Sequence, residues 1–310
     1  MRVFLAGAGG AIGRPLLPRL IAAGHEVTGL SRSEERAAEI RTAGAEALVC
    51  DVFDAEALAL GVAAVSPEVV VHEMTSLPDR IDLRKPDYGP NNRIRREGTR
   101  NLLAAARAAG ARRMVAQSVA FVYAPTGGWV KDERAPLMSG VEGAFGESVE
   151  ATADLERQVE SADGIEGLVL RYGWFYGPGT FYGLNGSTAD DVRRRRFPIV
   201  GAGTGTFSFI HVDDAAAATV AAVERGAPGV YNIVDDEPAR MSEWIPAYAE
   251  AIGAKPPRRV PAWLARLFAG SATVAMATGL RGASNEKAKR ELGWEPGYPS
   301  WRQGFREGLT

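Results

Sequence analysis

The chain has 310 residues, 46% of them hydrophobic and 24% charged, with a formal net charge of -2, which describes an ordinary globular protein of one large or two small domains. That balance argues against nucleic acid as the main partner. The single cysteine, Cys50, excludes an intrachain disulfide framework and a multi-cysteine zinc site, and suits a reducing cytoplasm. His25, His72 and His211 lie far apart with no ligand spacing, which gives metal catalysis little support, and the longest uncharged stretch, residues 267–280, falls short of the roughly 20 residues a membrane span needs.

In chain order, Val3-Phe4-Leu5-Ala6-Gly7-Ala8-Gly9-Gly10-Ala11-Ile12-Gly13 is an apolar strand running into glycines at 7, 10 and 13. Such a turn leaves the N-terminus of the next helix bare enough for a pyrophosphate to sit on it. A helix through Leu16, Leu17, Leu20 and Ile21 ends at Gly24, and strands follow at 25–30, 47–50 and 69–72. An alanine-rich helix at 96–109 buries Leu102, Leu103 and Ala106, a fifth strand covers 114–117, and a helix at 150–161 precedes a sixth strand at 167–170. This alternation predicts a parallel, doubly wound sheet. Past Arg171 the pattern breaks into glycine, proline and aromatics, with short strands near 207–210 and 230–233 and helices from Asp213, Ser242 and Ser284. The fold expected is α/β, a Rossmann-type doubly wound parallel sheet with a smaller C-terminal substrate lobe. Residues 1–171 would form the NADP-binding domain with a returning segment at about 205–233, and residues 172–204 and 234–310 the lobe.

With these segments in order, the chain resembles the short-chain dehydrogenase/reductase superfamily in its extended or atypical, epimerase/dehydratase-like branch. The likeness rests on Gly7-x-x-Gly10-x-x-Gly13, Asp51-Val52, Glu97-Gly98-Thr99-Arg100-Asn101-Leu102-Leu103, Arg171-Tyr172-Gly173 through Tyr176-Gly177-Pro178-Gly179, Phe209-Ile210-His211-Val212-Asp213-Asp214 and Glu291-Leu292-Gly293-Trp294. It implies that Ala11 and Ile12 in the turn, Asp51 and Val52 beside the adenine, Glu73 and Met74 after strand four, Gln117 on strand five and Tyr172 and Gly173 after strand six line a dinucleotide. Extended members carry Tyr-x-x-x-Lys for proton transfer. Here the resemblance places Ser148 and Thr152 at those two positions, and no tyrosine of the chain has lysine four residues later.

Other residues are then candidates for the proton donor. Ser118 ends strand five and either bonds a substrate carbonyl or caps the loop; Tyr123 is a displaced acid or a packing residue, and Thr75 lies in the same neighbourhood. Ser31-Arg32 at the end of strand two has no acid to repel a 2′-phosphate and a guanidinium to pair with it, with Arg14 or Arg36 in support, which predicts NADP(H). Phe121, Trp174, Tyr176 and Phe181 stand among aromatics that would give the substrate an apolar mouth, with the helix before Leu280 as a lid hinged at Gly270 and Gly279. The sequence therefore reads as a ketone reductase for a large aromatic or apolar carbonyl compound. A non-catalytic NADP(H) sensor and a nucleotide-sugar epimerase or dehydratase stay as alternatives.

Overall fold

The computed structural model describes residues 1–78, 80 and 86–310. Strand β1 (Arg2–Ala6) leads through the glycine turn into α1 (Gly13–Ala22). Next come β2 (Glu26–Ser31), α2 (Glu34–Thr42), β3 (Glu46–Val49), α3 (Ala55–Val65) and β4 (Val69–His72). One longer helical run follows, α4 (Gly89–Arg93) passing through a π-helical turn (Ile94–Gly98) into α5 (Thr99–Ala108). Strand β5 (Arg113–Val119), helix α6 (Gly143–Glu160), β6 (Glu166–Tyr172) and the returning β7 (Gly229–Ile233) complete a seven-stranded sheet of order 7-6-5-4-1-2-3. All its pairings are parallel.

Alternation along the strands divides the core. Val3 and Leu5 join Leu16, Leu17 and Leu20 of α1 and the alanines of the helix Val212–Glu224 on one face. Phe4 and Ala6 meet Leu58 and Val62 of α3, Leu102 and Ala106 of α5 and Leu155 and Val159 of α6 on the other. Helices on both faces explain why β1 and β4 are apolar throughout rather than alternating. The strand order reverses between β1 and β4, so a crevice opens at their carboxyl ends, where Gly7 and Glu73 lie.

A separate aromatic core gathers Tyr176, Tyr182, Phe207, Phe209, Trp244, Tyr248, Trp301 and Phe305. The segments it draws on lie after residue 173, where the sequence turns aromatic. The helix Ala262–Gly279 is bent at Gly270, whose φ of 83° is not helical. Among the described residues, no helix is long and apolar enough to cross a membrane.

Candidate active site

The glycine turn is built as its residue types require. Gly7 has φ +103°, and a Cβ there would stand 2.5 Å from the Glu73 carbonyl carbon; a Cβ on Gly13 would stand 2.1 Å from the Gly7 carbonyl oxygen. Gly10 donates its N–H to that same oxygen at 3.0 Å. The first glycine thus fits the turn against β4, and the third lets α1 close on the strand.

Above this turn a cavity of about 1030 Å³ opens. It is lined by Ala11, Ile12, Arg32 and Arg36, by Glu73, Thr75, Gln117 and Gly173, and by the aromatic rings of Phe121, Phe145, Trp174 and Phe181. Phe121 stacks on Trp174 with ring centroids 4.2 Å apart. A smaller cavity of about 310 Å³, lined by Phe53, Pro90 and Arg93 among others, shares Arg32 and Ser76 with the large one. Asp51 and Val52 lie next to its Phe53. Asp51 is exposed and accepts the Phe53 N–H through Oδ1, while Val52 is buried with its carbonyl held by Asn101.

Ser31 holds its hydroxyl on the Ser33 backbone, so the cation beside it, Arg32, is what this strand end offers the cavity. Arg14 pairs with Glu39 at 3.6 Å, and Arg36 rather than Arg14 joins Arg32 at the cavity.

Glu73 is buried and lines the cavity. Tyr172 Oη donates to its Oε1 at 3.0 Å and its Oε2 has no partner. Burial pushes its pKa up to about 8 against the lowering effect of that bond, so the carboxyl is largely neutral at pH 7. Tyr172 therefore reaches the cavity only through Glu73. The unfolded chain releases this proton near the ordinary carboxyl value and the folded chain only near pH 8, so the folded state binds more protons between those values. Stability is expected to fall as pH rises through that window, and Glu73→Gln should flatten the Tm-against-pH curve there. His72, beneath it, accepts the Met74 N–H at Nδ1, which leaves Nε2 to donate to Thr99. Burial lowers its pKa to about 4, so it is neutral and fixes the end of β4. Met74 itself is half-buried and packs on the core beneath the cavity.

Three expected site residues are corrected. Ser118 points away from the cavity that Gln117 and Val119 line, because successive strand residues face opposite sides. Its hydroxyl donates to Glu156 Oε1 at 2.5 Å in a buried ion pair with Arg171. Tyr123 belongs to the same buried network. It donates to Asn232 Oδ1 at 2.6 Å and accepts from Arg171 Nη1 at 2.9 Å, and burial pushes its pKa up to about 12, which removes it as an acid near the cavity. Tyr176 is fully buried in the aromatic core between Phe209, His211 and Phe305.

Four residues that the sequence did not single out line the cavity too: Tyr88, Asn91 and Arg95, from the run that begins at α4, and Phe145 of α6; Ser148, at the family's tyrosine position, joins them. Thr152 is one turn below Ser148 and donates to its carbonyl. Pro90 in the first turn of α4 was the available signal that the helix starts well before residue 96. Glycine cradle, orphaned Glu73 Oε2 and paired arginines together fit a dinucleotide.

Residues 3–234 match the model of the NAD dependent epimerase/dehydratase family. A "3-diazoavenalumate denitrifying reductase" from a Streptomyces species is 48% identical over 98% of this chain and 99% of its own. A "4-hydroxy-2-methyl-3-oxo-4-farnesyl-3,4-dihydroquinoline-1-oxide ketoreductase" from Stigmatella aurantiaca is 30% identical over 82% of this chain and 74% of its own. Among solved structures, a human epimerase family protein crystallised with NADPH superposes over 100% of this chain and 99% of its own, with a TM-score of 0.73 at 20% identity, a likeness of fold.

Proposed function

Because the chain belongs to the NAD-dependent epimerase/dehydratase family, we propose that it is a reductase using NADP(H) to reduce a flat aromatic electrophile held in the large cavity. The observation that carries this reading is the continuity of the cavity, from the glycine turn and two arginines to a stacked aromatic wall. A sensor would need no room beyond the dinucleotide. A sugar nucleotide would need many polar partners where this wall offers rings.

A nicotinamide dinucleotide is the cofactor that family and glycine turn support; its phosphorylated form is our reading of Arg32 and Arg36. When bound, it supplies hydride. The chain's own part is to hold the acceptor flat and dry against Phe121 and Trp174, with Glu73 kept neutral beside it. Arg32→Ala is expected to weaken NADPH binding roughly 10- to 100-fold, the scale of lost hydrogen bonds to a charged group, and to leave NADH binding nearly unchanged. Fluorescence titration of both reduced cofactors reads this, and tighter NADH binding by the wild type would exclude the NADP(H) assignment.

The acceptor is a carbonyl or a diazo group. A ketone taking hydride develops an alkoxide, which wants a donor at once; of the three candidates for that donor, Ser118 and Tyr123 are committed elsewhere and Thr75 alone lines the cavity. A diazo group takes hydride at nitrogen and leaves as N2, with the hydrogen left on carbon, so no alkoxide forms. The relative with the higher identity carries the diazo name, which favours this second acceptor. NADPH oxidation measured with an aryl diazonium compound and with an aromatic ketone separates the two. Turnover of sugar nucleotides alone would overturn the reading.

A further inference from the structure

One corner of the large cavity is cationic, and among the described residues no carboxylate is bonded to its guanidinium. Tyr88, Asn91 and Arg95 line it at i, i+3 and i+7 of one helical run, Arg95 falling in the π-helical turn Ile94–Gly98. Turns of this kind are rare and are frequently found at functional sites. Across from them Arg95 Nη1 donates to Ser148 Oγ at 2.9 Å and to its carbonyl at 3.2 Å. Both acceptors are neutral. Its neighbours do have acids, Arg93 with Glu97 at 2.7 Å and Arg96 with Asp154 at 2.8 Å. Among the described residues, no carboxylate pairs with Arg95.

A guanidinium has five N–H donors in a rigid fork, and Nε and Nη2 of Arg95 have no acceptor among the described residues. Burial lowers its pKa to about 10, against the pull of Glu156 and Tyr88, so it keeps its charge at neutral pH. Asn91 holds the Ser76 N–H on its Oδ1 at 3.0 Å, which leaves its NH2 as the end free to donate. Donors thus gather in this corner, and Phe121, Phe145 and Trp174 share the cavity.

We propose that Arg95 anchors the carboxylate of an aromatic substrate, with Asn91 and Tyr88 as further donors and the ring laid on the aromatic wall. The proposal rests on the reductase reading and names its substrate class. One guanidinium in this corner balances one negative charge. A diphosphate would call for more cations, and the other described arginines of the cavity, Arg32 and Arg36, stand at the glycine-turn end.

Binding of 4-hydroxycinnamate and of its methyl ester to the NADP⁺-loaded protein, followed by calorimetry, tests the anchor. The wild type is expected to prefer the acid at least tenfold. Arg95→Met should lower acid affinity roughly 10- to 100-fold, leave the ester unchanged and hold the NADPH Kd within about twofold. Arg95→Lys should recover part of the acid binding, since it restores charge without the fork. Equal binding of acid and ester, no binding of either, or a loss in Arg95→Met confined to NADPH would overturn the anchor. Failure of the reductase reading looks different: the acid preference stands, but no aromatic electrophile is reduced at the expense of NADPH.

Discussion

Gly7→Ala is expected to lower dinucleotide affinity by roughly 100-fold or more, read as the Kd for NADPH. Two costs combine at this residue. A non-glycine residue held at φ +103° carries strain of about 1–3 kcal/mol. Its methyl group would also stand 2.5 to 2.9 Å from the backbone of Glu73 and Met74, where nothing flexible can give way. The turn must then move off β4, and the phosphates lose the N–H groups that the turn presents to them. Gly110 supplies the control. It too has positive φ, +77°, but has nothing within 4 Å of where a Cβ would stand and lies far along the chain after α5. Gly110→Ala should cost stability alone, with the NADPH Kd unchanged. Equal Kd values for the two variants would mean that the close approach to Glu73 is unimportant.

The contrast between Gly7 and Arg95 shows what the sequence could and could not carry. Gly7, Gly10 and Gly13 act on one another within a single turn, so their spacing already contains the geometry. Six of the seven parallel strands were legible for a related reason, since burial on both faces leaves unbroken apolar runs such as Val69–His72, whereas the returning strand Gly229–Ile233 was read only as a short element. Arg95 acquires its meaning only from Ser148, 53 residues away, and from the absence of an acid that no local pattern reports. Strand ends mislead in a third way. Ser118 stands on a strand between Gln117 and Val119, which take the cavity face, and on a strand one residue is the opposite face. Tyr176 was misread because an aromatic-rich segment serves cavity and core at once: Trp174 and Phe181 line the cavity, while Tyr176 packs under it against Phe305.

Glu156→Ala should destabilise the protein by about 3–5 kcal/mol, measured as the shift in denaturant midpoint multiplied by m, because it strands a buried charge. Arg171 donates to Glu156 through Nε at 2.9 Å and Nη2 at 2.7 Å, and both side chains are almost wholly excluded from solvent. Burial alone would lower the Arg171 pKa, but the bonds and charge of Glu156 outweigh it and hold the pKa above its ordinary value. Ser118 and Tyr123 satisfy the remaining valences of this pair. Ser118→Ala should therefore cost only about 1 kcal/mol, the net worth of one hydrogen bond, and leave reductase activity intact. Replacing Glu156 and Arg171 together with Leu and Met should return much of what Glu156→Ala loses, since no charge then remains unpaired. These outcomes distinguish a structural network from a catalytic one. If Ser118→Ala abolished hydride transfer at unchanged stability, the serine would be acting at the site after all, and the buried network would have to open during turnover.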